Sequence, residues 1–111
     1  MTASTPTTPT TVASIAERLR SSGIDVSVVG DGDTVVDGLT HDSRSVSRNN
    51  MFACLRGHSF DGHEFAAQTI EHGAVALLVD HELDDVGACP QLVVEDTRLA
   101  VGPASAIAWG D

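Results

Sequence analysis

The sequence predicts an α/β fold in which a small sheet of about five mixed strands is flanked by helices. Residues 74–79 form an almost continuous apolar run, which is typical of a strand covered on both faces. Residues 24–29 alternate apolar and polar side chains, the period of a half-buried strand. Residues 12–19 place apolar side chains at helical spacing, and helices placed between apolar strands are typical of a partly parallel sheet.

The first elements follow a polar segment at the start of the chain. Residues 1–11 are almost entirely Thr, Pro, Ser and Ala, which predicts a disordered leader, with one domain over residues 12–111. The first helix is predicted to begin after Thr11 as N-cap and to end at Gly23. The Gly and Asp residues at 30–33 predict a hairpin turn between the first strand and a second extended segment.

The middle of the chain contains a short apolar run at residues 51–55, which predicts a buried strand that includes Cys54 as a small hydrophobe. A helix is predicted from Asp61 onward, because Asp61-x-x-Glu64 has the form of a capping box, and Gly73 is expected to end it. The strand at residues 74–79 comes next.

The last third of the chain predicts an acidic, solvated segment at residues 80–88, a short strand at residues 91–94, and a final helix from Asp96 or Thr97. Pro103 is expected to kink or restart this helix, because proline removes an interior hydrogen bond. The chain then stops without an obvious closing element, and we expect it to be cut short.

Composition limits the classes of partner. The 111 residues, 41% of them hydrophobic, fit one domain with a core but not a two-substrate enzyme. A net charge of -10 opposes binding to nucleic acid or to an anionic membrane, and neither partner is predicted. All six basic residues are arginines, which suit phosphate and carboxylate ligands. No Cys-x-x-Cys pair, signal sequence or membrane span is visible, so a cytoplasmic protein is expected.

The residues that could bind a ligand flank the strand at residues 51–55. Before it lie His41, Asp42, Ser43 and Arg44. After it, Gly57 allows a ligand to approach the backbone closely. The backbone of Gly57 and the residues that follow it, His58, Ser59 and Phe60, is therefore predicted to face the ligand.

Catalytic and metal-binding alternatives have less support. The possible metal ligands are His41, His58, His63, Asp42 and Asp61. They lack the His-x-x-x-His spacing of a helical site, and no metal is predicted. Ser43 beside His41 lacks the Gly-x-Ser-x-Gly setting of a nucleophile. Asp42 and Asp61 could form an acid–base pair only if they lie close together, which the sequence does not establish. No catalytic residue is predicted.

Several motifs together resemble one family. They are Asp42-Ser43-Arg44-x-Val46, Met51-Phe52-x-x-Leu55-x-Gly57, Phe60-Asp61-Gly62-His63-x-Phe65, Gly73-Ala74 and Val94-Glu95-Asp96-Thr97-Arg98. Their order and spacing over residues 38–111 resemble the N-terminal domain of the Mur ligases, in particular the MurE type. Where that family commonly has Pro-Gly-Asp in a turn, this chain has Arg48, Asn49 and Asn50, and asparagine tolerates turn geometry.

The resemblance implies a fragment of an ATP-dependent ligase of peptidoglycan precursor synthesis. MurE-type enzymes join an amino acid, usually meso-diaminopimelate or lysine, to UDP-N-acetylmuramoyl-L-alanyl-D-glutamate. The first domain holds the UDP part of this dipeptide substrate, whereas ATP and Mg²⁺ are bound through a central domain and a third domain receives the amino acid. The present chain has no lysine and no Gly-x-x-Gly-Lys-Thr segment, so we expect binding without turnover and no cofactor in this part.

Carried over by position, the resemblance implies that His41 and Ser43 contact the uridine portion and that His58, Ser59 and Phe60 line the nucleotide pocket. Asp42 and Arg44 would support these residues without touching the substrate. One alternative is the MurF type, which adds D-alanyl-D-alanine, and the segment at residues 96–98 argues against it. A second alternative is a free-standing module that binds a nucleotide sugar without catalysis.

Overall fold

The computed structural model describes residues 9–57 and 61–109, which form a mixed five-stranded sheet with helices on both faces. The strands are β1 (Val26–Val29), β2 (Leu39–Thr40), β3 (Met51–Ala53), β4 (Ala76–Val79) and β5 (Gln91–Val94). The α-helices are α1 (Val12–Ser21), α2 (Ala66–Glu71) and α3 (Thr97–Ala108), with 3₁₀ turns at Ser43–Ser45 and Gly62–Phe65. The predicted fold class is confirmed.

The order of strands across the sheet is β1-β5-β4-β3-β2. Strands β2, β3, β4 and β5 are parallel, and β1 runs antiparallel to β5 at one edge. The carboxyl ends of the four parallel strands therefore lie along the same edge of the sheet. Ligands of open α/β sheets commonly bind at this edge.

The predicted hairpin after β1 is wrong, because β1 and β2 lie at opposite edges of the sheet. The turn segment runs past the start of α1, where helical N–H groups have no partner inside the helix. Thr34 O accepts from Val12 N at 3.0 Å, and Gly32 O accepts from Ala13 N at 2.8 Å. The carbonyl groups of this turn segment therefore accept hydrogen bonds from the start of α1 and not from a second hairpin strand.

The end of the predicted leader is also part of the fold. Thr10 O accepts from Val36 N at 2.8 Å, and Thr11 Oγ1 accepts from Ser14 N to cap α1, as the sequence predicted for Thr11. Of residues 1–11, the structure describes only 9–11. The backbone of residues 10 and 11 is thus hydrogen-bonded to the domain, whereas residues 1–8 of the predicted leader lie outside the described residues and the leader stays a prediction.

Two apolar clusters pack on the two faces of the sheet. Helices α1 and α3 cover one face, with Ile15, Leu19 and Ala104 among their buried residues. Helix α2 and the segments around β4 and β5 cover the other face. All four residues of β4 are buried, which confirms the strand predicted from the apolar run.

The last helix begins after Asp96, whose carboxylate accepts from Arg98 N, and it continues across Pro103 to Ala108 without a restart. Pro103 is exposed, so water can reach the backbone where the proline ring removes a hydrogen bond. Within the described part of the chain, every helix is too short or too polar to span a membrane.

Candidate functional site

A hollow of about 770 Å³ lies at the edge of the sheet where the parallel strands end. The segment after β2 contributes His41, Asp42, Ser43 and Arg44 to its wall. The opposite wall comes from β3 and the residues after it, from the second 3₁₀ turn and α2, and from the start of α3; it contains Phe52, Leu55, Gly57, Gly62, Phe65, Gln68 and Arg98. The structure thus brings the described candidate residues from both sides of β3 to one hollow.

The segment after β2 is held as a tight turn by Asp42. One carboxylate oxygen of Asp42 accepts from the backbone N–H of Arg44 at 2.9 Å and from its Nε at 3.3 Å. These hydrogen bonds lower the pKa of Asp42, the backbone N–H contributing most. Asp42 therefore remains a carboxylate at neutral pH and orders the 3₁₀ turn that begins at Ser43.

After β3, the backbone of residues 55–56 pairs with that of residues 61–62, and we call this pairing the clamp. Gly62 N donates to Leu55 O at 2.7 Å, and Arg56 forms a β-bridge with Asp61. A Cβ at Gly62 would lie 2.8 Å from Leu55 N and 2.9 Å from Leu55 O, so the close approach requires glycine. His58, Ser59 and Phe60 lie outside the described residues, and their predicted contacts stay predictions.

Four charged or polar side chains form a network behind this clamp, which we call the Arg56 network: Arg56, Asp61, His63 and Asp80. Arg56 donates from Nε and Nη2 to the two oxygens of Asp80 at 2.6 and 3.0 Å, and from Nη1 to Asp61 at 3.0 Å. The hydrogen bonds from Arg56 outweigh partial burial and lower the pKa of Asp80 to about 2. Burial opposes the ionisation of Asp61, but hydrogen bonds from His63 and the charge of Arg56 lower its pKa overall.

The sequence analysis missed Asp80, which it placed in a solvated acidic segment. The side chain of Asp80 is only 14% exposed, because it lies against Arg56 and His63. Asp80 follows β4 directly and Arg56 follows β3 closely, and these strands are parallel neighbours. The sequence signal that could have paired these residues was their position directly after two apolar runs, because adjacent parallel strands end at the same edge of the sheet.

His63 is the buried member of the Arg56 network. Its Nδ1 lies 2.5 Å from Asp61, and its Nε2 accepts from the backbone N–H of Asp80 at 3.1 Å. Asp61 also accepts from His63 N, which confirms Asp61 as a helix cap, here of a 3₁₀ turn leading into α2. This histidine ties the segment after β3 to the end of β4.

One group among the described residues has the spacing of a metal site, and it differs from the cluster considered in the sequence. His63, Asp80 and His81 offer ligand atoms within 4.8 Å of one another. Each of these atoms already has a protein partner: Nε2 of His63 accepts from Asp80 N, and Nδ1 of His81 lies 2.6 Å from Asp80. Hydrogen bonding and the stacking of the two rings at 4.7 Å account for the group without an ion.

The residues considered for nucleophilic or acid–base chemistry are His41, Ser43, Asp42 and Asp61. Within residues 9–57 and 61–109, no hydrogen bond joins His41 to Ser43, the contact that a nucleophile and its base would make. The lowered pKa values of Asp42 and Asp61 leave neither carboxyl protonated at neutral pH to act as an acid. Burial raises the pKa of Cys54 to about 12, which fits the predicted hydrophobic role.

A second hollow of about 470 Å³ lies beside β1 and β5, away from the candidate residues. Its lining includes Arg20 together with Asp25 and Glu95. Arg20 donates to Val26 O, and two carboxylates outnumber this single cation. The larger hollow is therefore the better site for an anion.

Comparison with known proteins finds one matching family model and relatives that are ligases. The family described as "Mur ligase family, catalytic domain" matches residues 35–102. A UDP-N-acetylmuramoyl-L-alanyl-D-glutamate--2,6-diaminopimelate ligase of Syntrophomonas wolfei is 41% identical over 78 residues, which cover 70% of this chain and 16% of the relative. A UDP-N-acetylmuramoyl-tripeptide--D-alanyl-D-alanine ligase of Escherichia coli is 45% identical over 75 residues, 67% of this chain and 16% of that protein.

Solved structures with a similar fold are also ligases of this kind. A crystal structure of MurF from Acinetobacter baumannii superposes with a TM-score of 0.72 at 28% identity and covers 93% of this chain and 21% of that one. The chain spans about one sixth of the length of the curated relatives it matches. Ligases of both types considered in the sequence analysis are among the matches.

Proposed function

The chain belongs to the Mur ligase family, and we propose that its domain binds the uridine diphosphate part of a UDP-N-acetylmuramoyl peptide. The observation that supports this most strongly is the shared hollow. His41 and Ser43, which the resemblance assigned to the uridine, line one cavity together with Leu55 and Gly57 from the segment after β3, at the carboxyl edge of the parallel strands. A cavity of this size and position is typical of a small-molecule site.

The proposed contacts follow from this placement. In this proposal Ser43 and His41 contact the uridine portion. Contacts of the nucleotide with His58, Ser59 and Phe60 remain part of the proposal, although these three residues lie outside the described part of the chain. Asp42 supports Ser43 indirectly, because it hydrogen-bonds the turn on which Ser43 lies. The guanidinium of Arg44 donates to the same carboxylate, so its role in this proposal is to hold the turn.

The complete enzyme, in this proposal, is a cytoplasmic ATP-dependent ligase of peptidoglycan precursor synthesis. A carboxylate of the muramoyl peptide would be activated as an acyl phosphate and attacked by the incoming amine, with ATP and Mg²⁺ bound by other domains. The present domain would contribute binding energy from a remote part of the substrate. Such remote contacts hold the reacting carboxylate in position and thereby accelerate the step at the distant centre.

The ligase type decides which muramoyl peptide is the substrate. The sequence analysis favoured the MurE type, which takes the dipeptide. The MurF type has specific support, because the 45% identical relative and the similar solved structures are ligases of that type. We therefore propose the shared UDP-binding role first and keep both peptides as candidate substrates, to be separated by ligase assays on the full-length protein with each peptide.

Titration calorimetry with UDP-N-acetylmuramoyl-L-alanyl-D-glutamate tests the binding role. Ser43→Ala is expected to weaken affinity by about tenfold or less, because one hydrogen bond contributes roughly 0.5–1.5 kcal/mol. Ser27→Ala is the matched control, since Ser27 is an exposed serine on β1 at the far edge of the sheet. Equal affinities of the two variants would show that Ser43 does not contact the uridine. A chain that binds no UDP-muramoyl peptide would contradict the proposed function.

A further inference from the structure

Arg98 lies on the wall of the hollow and is oriented by the backbone of the opposite segment. Its Nε and Nη2 donate to the carbonyl oxygen of Arg56 at 3.2 and 2.7 Å. The backbone N–H of Arg98 is itself capped by Asp96. The Arg56 carbonyl thus orients the guanidinium, and the Asp96 cap fixes the backbone from which the exposed side chain extends.

The charge of Arg98 is not neutralised by these contacts. A carbonyl oxygen orients a guanidinium without cancelling its charge, and within the described part of the chain no carboxylate forms an ion pair with Arg98. The other lining residues with full charges are Arg44 and Asp42, which pair with each other at 3.3 Å. Arg98 therefore gives the lining of the hollow its net positive charge.

This local charge matters because the chain as a whole carries a net charge of -10. A diphosphate would be repelled by that overall field, and binding requires donors placed close to the phosphate oxygens. The Nη1 group of Arg98 has no hydrogen-bond partner within residues 9–57 and 61–109. Arginine donors in a fixed fork suit phosphate oxygens well.

We propose that Arg98 binds a phosphate oxygen of the ligand's diphosphate, with the Arg56 carbonyl holding the guanidinium in position. This inference rests on the proposed function and adds to it the residue that reads the diphosphate rather than the uridine. It predicts that Arg98 contributes to affinity only when the ligand carries phosphate groups.

The test compares uridine, UMP and UDP as ligands, measured by NMR chemical-shift titration of the 111-residue chain. Arg98→Gln is expected to weaken UDP binding by about tenfold, to weaken UMP binding less, and to leave uridine binding within about twofold, because charge-assisted hydrogen bonds to phosphate are lost. Arg98→Lys is expected to recover part of the UDP affinity, since it keeps the charge but not the fork. Arg18→Gln, an exposed arginine on α1, is the control for net charge.

The outcomes separate this inference from the proposed function. Equal weakening of uridine and UDP by Arg98→Gln would mean that Arg98 only positions the Arg56 backbone, and an unchanged affinity for UDP would exclude any role; either result overturns the inference alone. If the unmodified chain binds neither uridine nor UDP, both proposals fail. Thermal unfolding of each variant shows whether a loss of affinity comes from misfolding.

Discussion

At the scale of single residues, Asn49 shows how this chain departs from its family's turn and keeps the fold. Asn49 has a φ of 68°, in the left-handed region that glycine adopts most readily. Its N–H donates to Gly73 O at 2.9 Å, and its carbonyl accepts from Asp37 N at 2.8 Å. The turn before β3 is therefore anchored to both neighbouring segments, and asparagine is one of the few other residues that this conformation tolerates.

Substitution at Asn49 is expected to follow backbone preference. Asn49→Ala should lower the free energy of unfolding by about 1 kcal/mol, because alanine disfavours the left-handed region. Asn49→Gly should leave it unchanged or slightly higher, since glycine adopts this conformation without strain but loses more entropy on folding. Urea denaturation of the two variants measures the difference. Equal stabilities of the alanine and glycine variants would show that backbone conformation does not limit this turn.

Asp80 is a second residue with a specific consequence, here for acid stability. Its pKa is lowered from the ordinary 3.8 to about 2 in the folded protein, chiefly by Arg56. A carboxyl with a lowered folded pKa stabilises the fold above its unfolded pKa and loses that contribution as the pH falls through the folded value. Asp80→Asn should therefore destabilise the protein at pH 7, and its difference from the unmodified chain should shrink between about pH 4 and pH 2.

Urea denaturation at pH 7, 4, 3 and 2 checks this pH dependence. Asp84→Asn is a suitable control, because Asp84 is exposed in the acidic segment that follows Asp80. A stability difference for Asp80→Asn that stays constant down to pH 2 would mean that the contact with Arg56 does not depend on the charge of Asp80.

At the scale of elements, the end of α3 covers the outer edge of β2. Gly38 N donates to Ala108 O, and Trp109 Nε1 donates to Leu39 O, both at 3.1 Å. A Cβ at Gly38 would lie 2.5 Å from the Trp109 ring. Since an uncovered edge strand exposes unpaired backbone groups, this contact completes the pairing of β2, the strand that leads directly into His41.

Loss of this edge contact is expected to destabilise the domain. Trp109→Phe should lower the free energy of unfolding by about 1 kcal/mol through the lost hydrogen bond. Gly38→Ala should cost more, because the methyl group meets the indole ring. Leu99→Ala is the control, since Leu99 is a 72% exposed apolar residue on the same helix and its change should stay within about 0.5 kcal/mol. Thermal and urea unfolding measure the three free energies of unfolding. Equal values for the three variants would show that the contact of α3 with β2 does not stabilise the domain.

The elements that local patterns predicted correctly were those defined by burial or by capping. Periodicity and Thr11 gave α1, and the apolar run gave β4, because both signals reflect which side chains are buried. The hairpin after β1 was wrong because Gly and Asp residues indicate a turn but not the partner of the next segment. That partner was the start of α1, a contact that local sequence does not record.

At the scale of the whole molecule, the sheet order explains how much of the site was predictable. His41, Asp42, Ser43 and Arg44 were predicted from the sequence because they flank a recognisable buried strand; they line the hollow, and their roles toward a ligand stay predictions. Asp80 and Arg98 were not assigned a role, since each follows a different strand. Arg98 lines the hollow and Asp80 contacts Arg56 because β4 and β5 end at the same edge as β3. The order of residues in the chain does not show that these segments lie close together. Their proximity results from the parallel pairing of β3, β4 and β5.

The stability of the whole domain should respond to the nucleotide that we propose as the ligand of the hollow. UDP at about 100 times its Kd is expected to add about 2.7 kcal/mol of stability, which for a domain of this size raises Tm by roughly 10–20 °C. ATP with Mg²⁺ at the same concentration should raise Tm much less, because the 111 residues contain no lysine and no Gly-x-x-Gly-Lys-Thr segment to hold its phosphates. Differential scanning fluorimetry measures both shifts, with uridine as the phosphate-free control. If ATP and UDP stabilised the chain equally, the hollow would recognise polyphosphate without reading the base, and the placement of uridine beside Ser43 would be wrong.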